Sequence, residues 1–350
     1  MSRYVAFDDP SVEPDVPSES TKINELQSII QSTQYKNFAQ HRHCFRGTHV
    51  KTQAVVKGVL TIKPNLPEEL AQGLASPQNA LQPHPIAIRF ANEPSFLQDD
   101  KSPGPRGMGM KVFNVLGDYL EGPGQETHTQ DLTFNNAPML ELGDVNRCLE
   151  IFRIRERNFL QPEKIDGELK KRSDYQVQKA PMELPNHHFL AYTMYSQSAY
   201  RWGPYIAKYA LFPVKQSQKD LAESHKITDK SDFDQHSTWL REHFETMSAE
   251  YDLRVQLCEN LEQQSVEDTT MEWDEKKYPF QTVGTVTIPA QDSFTAARRV
   301  FWEERMRLNV WWGLETMRPL GSVNRLRKEV YAASRTVREN MNCINKIEER

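Results

Sequence analysis

The chain has only four cysteines in 350 residues, at positions 44, 148, 258 and 343. None stands in a Cys-x-x-Cys pair, so reduced thiols in a cytoplasmic protein are expected rather than a disulfide framework. Neither sign of charge dominates. The 43 basic and 48 acidic residues leave a net charge of −5, which argues against a general nucleic-acid binder. No stretch approaches the ~20 apolar residues of a membrane span. The opening Met-Ser-Arg-Tyr-Val-Ala-Phe-Asp-Asp-Pro has no apolar core of a signal peptide, and the closing Ile-Glu-Glu-Arg has no peroxisomal tail. Both fit the cytoplasmic expectation. No internal repeat is visible, and no Gly-x-Ser-x-Gly elbow marks a serine hydrolase. Gly104-Pro-Arg-Gly107-Met-Gly109 is rich in glycine, but it follows a loop and opens a strand. A phosphate-binding loop does the reverse. His41, His43 and His49 lack thiolate or carboxylate partners at metal spacing apart from Cys44, and Arg42 and Arg46 would repel a cation.

What is present begins with a polar, acidic segment at 1–21, read as a tail or arm. The remainder, 22–350, is expected to be a single domain. A helix is predicted at 22–34, with Ile23, Leu26, Ile29 and Ile30 on one face. Strands are predicted at 52–63, 86–91, 108–114, 131–134 and 280–290. Polar loops carrying Pro and Gly fill 92–106 and 115–130. Helices are predicted at 144–158, 193–211 and 322–342. Residues 215–235 read as a charged loop, and 236–263 as a helix-like polar stretch. The aromatic run Tyr192, Tyr195, Tyr200, Trp202 and Tyr205 is expected to serve as core or as a substrate channel wall.

The last helix carries the densest chemistry. Arg327, Tyr331, Ser334 and Arg338 recur at 0, 4, 7 and 11, which confines them to a stripe about 60° wide. The neighbouring stripe, Leu326, Val330, Ala333 and Val337, is the one expected to face a core. An arginine one turn before a phenol lowers a pKa that starts at roughly 10. A phenolate is a hard ligand for ferric iron, and Tyr is one of the known axial haem ligands.

Four further segments precede this helix. They are Arg46-Gly-Thr48-His49, Ile88-Arg89-Phe90-Ala91, Arg106-Gly107-Met-Gly-Met-Lys111-Val-Phe113, and Asp131-Leu-Thr-Phe134-Asn135-Asn136-Ala-Pro138. In this order, and followed by Arg327-x-x-x-Tyr331 with Arg338 seven further on, they resemble the haem catalase superfamily. The likeness is to its short, catalase-related branch. Arg318-Pro-Leu-Gly-Ser-Val-Asn-Arg325 resembles the lead-in of that branch. The resemblance covers roughly 40–145 and 285–340.

The resemblance implies an α+β fold, an antiparallel β-barrel core with flanking helices, and haem b with ferric iron as cofactor. It implies His49 as the distal histidine, Asn135 as the distal asparagine and Tyr331 as the iron ligand. Arg327 would keep that ligand deprotonated, and Arg46, Arg89 and Arg338 would pair with the haem propionates. Cys148 falls where catalases carry an aromatic over the haem.

The chain departs from true catalases at Thr48, where they usually have a hydrophobic residue, at Ala91, where they have a serine, and at Phe134, where they have a glycine. Thr48-His49 resembles catalase-related allene oxide synthases. The function implied is cleavage of the O–O bond of organic, especially fatty-acid, hydroperoxides, by a peroxidase or a hydroperoxide isomerase or dehydratase. Thr48 would act beside His49, Phe134 would reshape the distal wall, and Arg42 is a candidate anchor for a substrate carboxylate. A catalase acting on hydrogen peroxide, or a haem-binding sensor without turnover, are the alternatives. No nucleic acid or membrane span is expected, and self-association into a homo-oligomer is left open.

Overall fold

A computed structural model describes residues 3–122, 126 and 128–343. The rest of the loop expected at 115–130, namely 123–125 and 127, lies outside the described residues, as do the ends of the chain.

Alternating apolar side chains build one barrel. The strands are β1 (Thr52–Ile62), β2 (His84–Asn92), β3 (Arg106–Phe113), β4 (Thr129–Asn135), β5 (Met194–Tyr195), β6 (Tyr200–Trp202), β7 (Tyr205–Pro213), β8 (Ala249–Leu257) and β9 (Gln281–Ile288). All pairings are antiparallel. The ring runs β1-β2-β3-β4-β5-β7-β8-β9 and returns to β1, while β6 forms a hairpin on β7. Eight strands enclose a space that side chains alone can fill. Val56, Ile88, Phe90, Met110, Leu132, Tyr209, Leu211 and Val286 fill it here. The expected α+β class with an antiparallel barrel and flanking helices is the fold observed.

The outward positions of β2, β3 and β4 form a different surface. Period two puts Arg89 and Ala91, Gly107 and Gly109, and Thr133 and Asn135 on the outer face. Register aligns them in rows: Ala91 faces Gly107, which faces Asn135, and Arg89 faces Gly109, which faces Thr133. Three of these six residues are Gly or Ala, so this stretch of wall is low and flat.

A helical layer packs opposite. Helix α1 (Glu19–His41), helix α2 (Val145–Arg157) and the closing helix Ser322–Met341 share an apolar cluster of Ile23, Leu26, Ile30, Leu149, Phe152, Leu326 and Val330. Helix α1 runs seven residues past the expected end at 34, to His41. Its last turns carry no continuous apolar face, and there Gln34 bonds the carbonyls of Phe45 and Ser334. The N-terminal segment lies along the body: Val5 N–H bonds the Cys258 carbonyl at 2.9 Å, and Val12 is buried.

One expected helix is absent. Residues 193–211 form β5, β6 and most of β7 rather than a helix. Tyr195 pairs with Asn135 on one side and Ala210 on the other, and this closes the barrel. Aromatic side chains fit a pleated surface well, and long-range pairing overrides the local pattern. Residues 236–263 likewise divide into the helix Gln235–Thr246 and strand β8.

Candidate functional site

Between the flat barrel wall and the helical layer lies a cavity of about 250 Å³. His49, Asn135, Thr48, Arg46, Arg89, Arg327, Tyr331 and Arg338 all line it. The four residues of the closing-helix stripe therefore face one space, as their spacing predicts. Cys148 lines it too.

His49 lies just before β1 with φ of 54°, in the left-handed region that residues with a β-carbon seldom enter. The kink is held at both sides. His49 N–H donates to the Glu93 carbonyl at 2.8 Å, and Arg89 Nη2 donates to the His49 carbonyl at 2.7 Å. The imidazole lies against Gly107. A β-carbon placed on Gly107 would come within 2.4 Å of His49 Cε1 and Nδ1. Glycine is required here for close approach, not for backbone freedom. Burial pushes the imidazole down to about 4, against the opposing pull of the Glu93 carboxylate and the Ala91 main chain. The ring is neutral at neutral pH and free to take a proton. Gly107→Ala should displace it and cost about 1–3 kcal/mol through overpacking. Thermal unfolding checks the cost.

Asn135 occupies the same cross-strand row, on the far side of Gly107. Its Oδ1 accepts the Asn136 N–H at 3.0 Å. Its Nδ2 has no protein partner among the described residues, which leaves an N–H donor at the cavity wall. The Thr48 hydroxyl also lacks a protein hydrogen bond among the described residues, so no bond joins it to His49. Phe134 also lines the cavity, while strand alternation packs its ring against the barrel core, 5.2 Å from the Tyr209 ring. Arg42 is exposed at the end of α1 and does not line the cavity, so it is not placed to anchor a bound carboxylate there.

On the closing helix, the Tyr331 hydroxyl has no hydrogen-bond partner among the described residues. Burial raises the phenol above its ordinary value, and Arg327 opposes the rise. The expected lowering by Arg327 is therefore present but outweighed by burial. Arg327 is held by Ser198 Oγ at 3.1 Å and Asn324 Oδ1 at 3.0 Å. Neither partner is an anion, so its charge is left to act on Tyr331, which raises the Arg327 value in return against the pull of burial.

Arg46, Arg89 and Arg338 converge, and a protein carboxylate stands among them. Arg46 Nη1 meets Glu303 Oε2 at 2.6 Å, and Arg89 Nε meets Glu303 Oε1 at 3.2 Å. Thr52 donates to the same carboxylate, and Arg338 donates to the Glu303 carbonyl. Burial alone would raise Glu303, yet Arg89 and Arg46 hold it below the usual carboxylate range. Burial drives Arg89 and Arg338 down to about 10 each, even with Glu303 beside them. Buried Arg89 and Arg338 and part-exposed Arg46 thus gather around the Glu303 carboxylate, with Glu304 and Glu339 also acting on Arg338. Glu303, in the single-turn segment Phe301–Arg305, carries no sequence signal that could have revealed it. The close fit of Gly107 to the imidazole was legible only as one glycine of a Gly-x-Gly pair on one strand face.

The comparisons agree with this architecture. A fungal catalase superposes with a TM-score of 0.62 at 16% identity, covering 89% of this chain and 62% of that chain. Catalase A from Saccharomyces cerevisiae gives 0.59 at 13% identity, covering 89% and 64%. A bacterial catalase gives 0.60 at 16% identity, covering 96% and 65%. The chain has a catalase-type fold and spans somewhat under two thirds of the length of these catalases. No protein-family model and no curated protein matches it.

Proposed function

We propose that the cavity holds ferric haem b and that the chain cleaves the O–O bond of organic hydroperoxides. The observation that carries this reading is the convergence of all eight motif residues on one cavity, with neutral His49 and the free Asn135 amide beside the same glycine.

The residues fit the group on three counts. The Tyr331 hydroxyl is available as an anionic oxygen ligand. The arginine cluster already holds a carboxylate, as propionates would require. Gly107 lets the His49 ring lie close against the barrel wall, so the cavity that His49 and Tyr331 both line keeps its width for a planar ring. Tyr331 would be the iron ligand, Arg327 would balance its charge, and Arg46, Arg89 and Arg338 would hold the propionates. A bound metal ion is the largest local charge and would deprotonate the phenol despite its burial.

Ferric haem, when bound, supplies the iron and the redox capacity for O–O cleavage. The chain's own residues move the proton. Neutral His49 accepts it from the peroxide O–H and returns it to the departing oxygen. Asn135 Nδ2 donates to the peroxide oxygens as charge develops. Thr48 adds a hydroxyl at the wall that is free to hydrogen-bond to a bound peroxide.

Catalase activity on hydrogen peroxide is the second reading, favoured by the fold and by the same His49–Asn135 pair. The experiment is to load the purified chain with haem and compare kcat/KM for hydrogen peroxide and cumene hydroperoxide. Higher efficiency with the organic peroxide supports the proposal. Vigorous oxygen evolution from hydrogen peroxide, with slow organic turnover, replaces it with the second reading.

Glu303 offers a check on the cofactor. Removing the carboxylate from this part-buried charge cluster costs roughly 1–3 kcal/mol. Glu303→Gln should lower the melting temperature of the haem-free chain. In the haem-loaded chain the loss should be smaller, because propionates would supply the missing charge. An equal loss in both forms would place the propionates elsewhere.

A further inference from the structure

The cavity wall that begins at the arginines ends in acids. Arg89, Ala91 and Glu93 follow one another at two-residue intervals, so they take the same face of the strand at steps of roughly 6.6 Å. Glu93 directly follows β2, and its N–H bonds the Pro105 carbonyl at 3.2 Å, which keeps it in step with β3. Glu93 and Glu141 both line the cavity.

One guanidinium serves both. Arg155 Nη1 meets Glu93 Oε1 at 2.8 Å, and its Nη2 meets Glu141 Oε1 at 3.1 Å. Among the described residues no other cation pairs with either acid. Two carboxylates against one cation leave this end of the cavity with surplus negative charge. Glu141 is buried, with a side chain 5% exposed, so solvent does little to screen it. Burial raises the Glu141 carboxyl above its ordinary value, against the pull of Arg155 and with the neighbouring Glu93 adding to the rise. The neighbouring wall is apolar. Cys148 and Phe152 lie seven and three residues before Arg155, on the same face of α2, and Leu140 and Leu142 flank Glu141.

We propose that Glu93 and Glu141, tied together by Arg155, determine substrate choice by admitting hydroperoxides whose tail bears no negative charge. The inference rests on the hydroperoxide reading above. An anionic tail beside these acids meets repulsion in a space of low dielectric. An alkyl, aryl or esterified tail packs on Leu140, Leu142 and Phe152. The free-acid form of a fatty-acid hydroperoxide is therefore the poorer substrate, and its ester or a neutral hydroperoxide the better one.

The test compares one fatty-acid hydroperoxide as free acid and as methyl ester on the haem-loaded full chain. The expected preference is for the ester, by about tenfold in kcat/KM at neutral pH, the size of one screened charge at short range. Glu93→Gln and Glu141→Gln should each bring the ratio towards one. Either variant leaves Arg155 paired with the remaining acid, so no charge is stranded. Arg155→Gln should move the ratio the other way.

A second readout is independent of turnover. Octanoate and methyl octanoate are titrated against the Soret band, and octanoate should bind more weakly than its ester in the wild type and gain affinity in both glutamine variants. Equal or better use of the free acid by the wild type, or ratios that the variants do not move, would overturn the proposal. If the loaded chain turned over no peroxide, the function proposed above would fall, and the octanoate titration would still decide the charge reading.

Discussion

Tyr331→Phe is expected to abolish stable haem binding. The substitution removes one oxygen, and that oxygen is the proposed iron ligand. Phenylalanine keeps the ring that packs against the barrel core, so the fold should survive. The neighbouring groups offer no substitute: Ser334 Oγ already accepts the Gly47 N–H at 3.2 Å, and Arg327 is a cation. The measurement is the haem-to-protein ratio after purification, with far-ultraviolet circular dichroism to check the fold. A folded variant that keeps the wild-type haem content and spectrum would remove Tyr331 from the iron.

The second large effect is expected at His49. His49→Ala deletes the proposed proton carrier while leaving the arginines and Tyr331 in place. Haem content should persist, and turnover should fall by roughly 10²–10⁴-fold, the usual range for one general acid–base group. The pH profile gives an independent check. Burial holds the folded imidazole at about 4, below its ordinary 6.5. The neutral, proton-accepting form therefore persists as pH falls from 7 to 5, and the acid limb of the profile should lie near 4. Stability follows the same sign. The unfolded chain takes up this proton below about 6.5 and the folded chain only near 4, so His49 erodes stability progressively between those values. Unchanged turnover in the alanine variant, or an acid limb near 6.5 that vanishes with it, would mean that the ring is placed differently.

The parts of the fold legible in the sequence were those with local periodicity. Strands β1 to β4 show regular apolar alternation, and the stripe Arg327, Tyr331, Ser334 and Arg338 is a property of one helix. Their convergence on one cavity follows the order of the motifs. The closure of the barrel was not legible. β5 has two residues and β6 has three, and their partners are set by contacts far apart in sequence. The aromatic residues around them satisfy a helical reading as readily as a pleated one. The site shows the same division. Residue types at motif positions pointed to His49, Asn135 and Tyr331. The pairing of Glu303 with Arg46 and Arg89, and of Arg155 with Glu93 and Glu141, joins segments that no local pattern connects. Arg42 was misplaced for a related reason: side-chain direction depends on where a helix ends, and α1 ends just before it.

The central claim is that this cavity binds ferric haem through a phenolate. The most direct measurement is titration of the haem-free chain with ferric haem, followed by absorption and by resonance Raman spectroscopy of the product. The account predicts saturation at one haem per chain, a high-spin ferric spectrum and vibrations of an iron-bound phenolate. No saturable uptake, or a low-spin spectrum with nitrogen ligands on both faces, would contradict it.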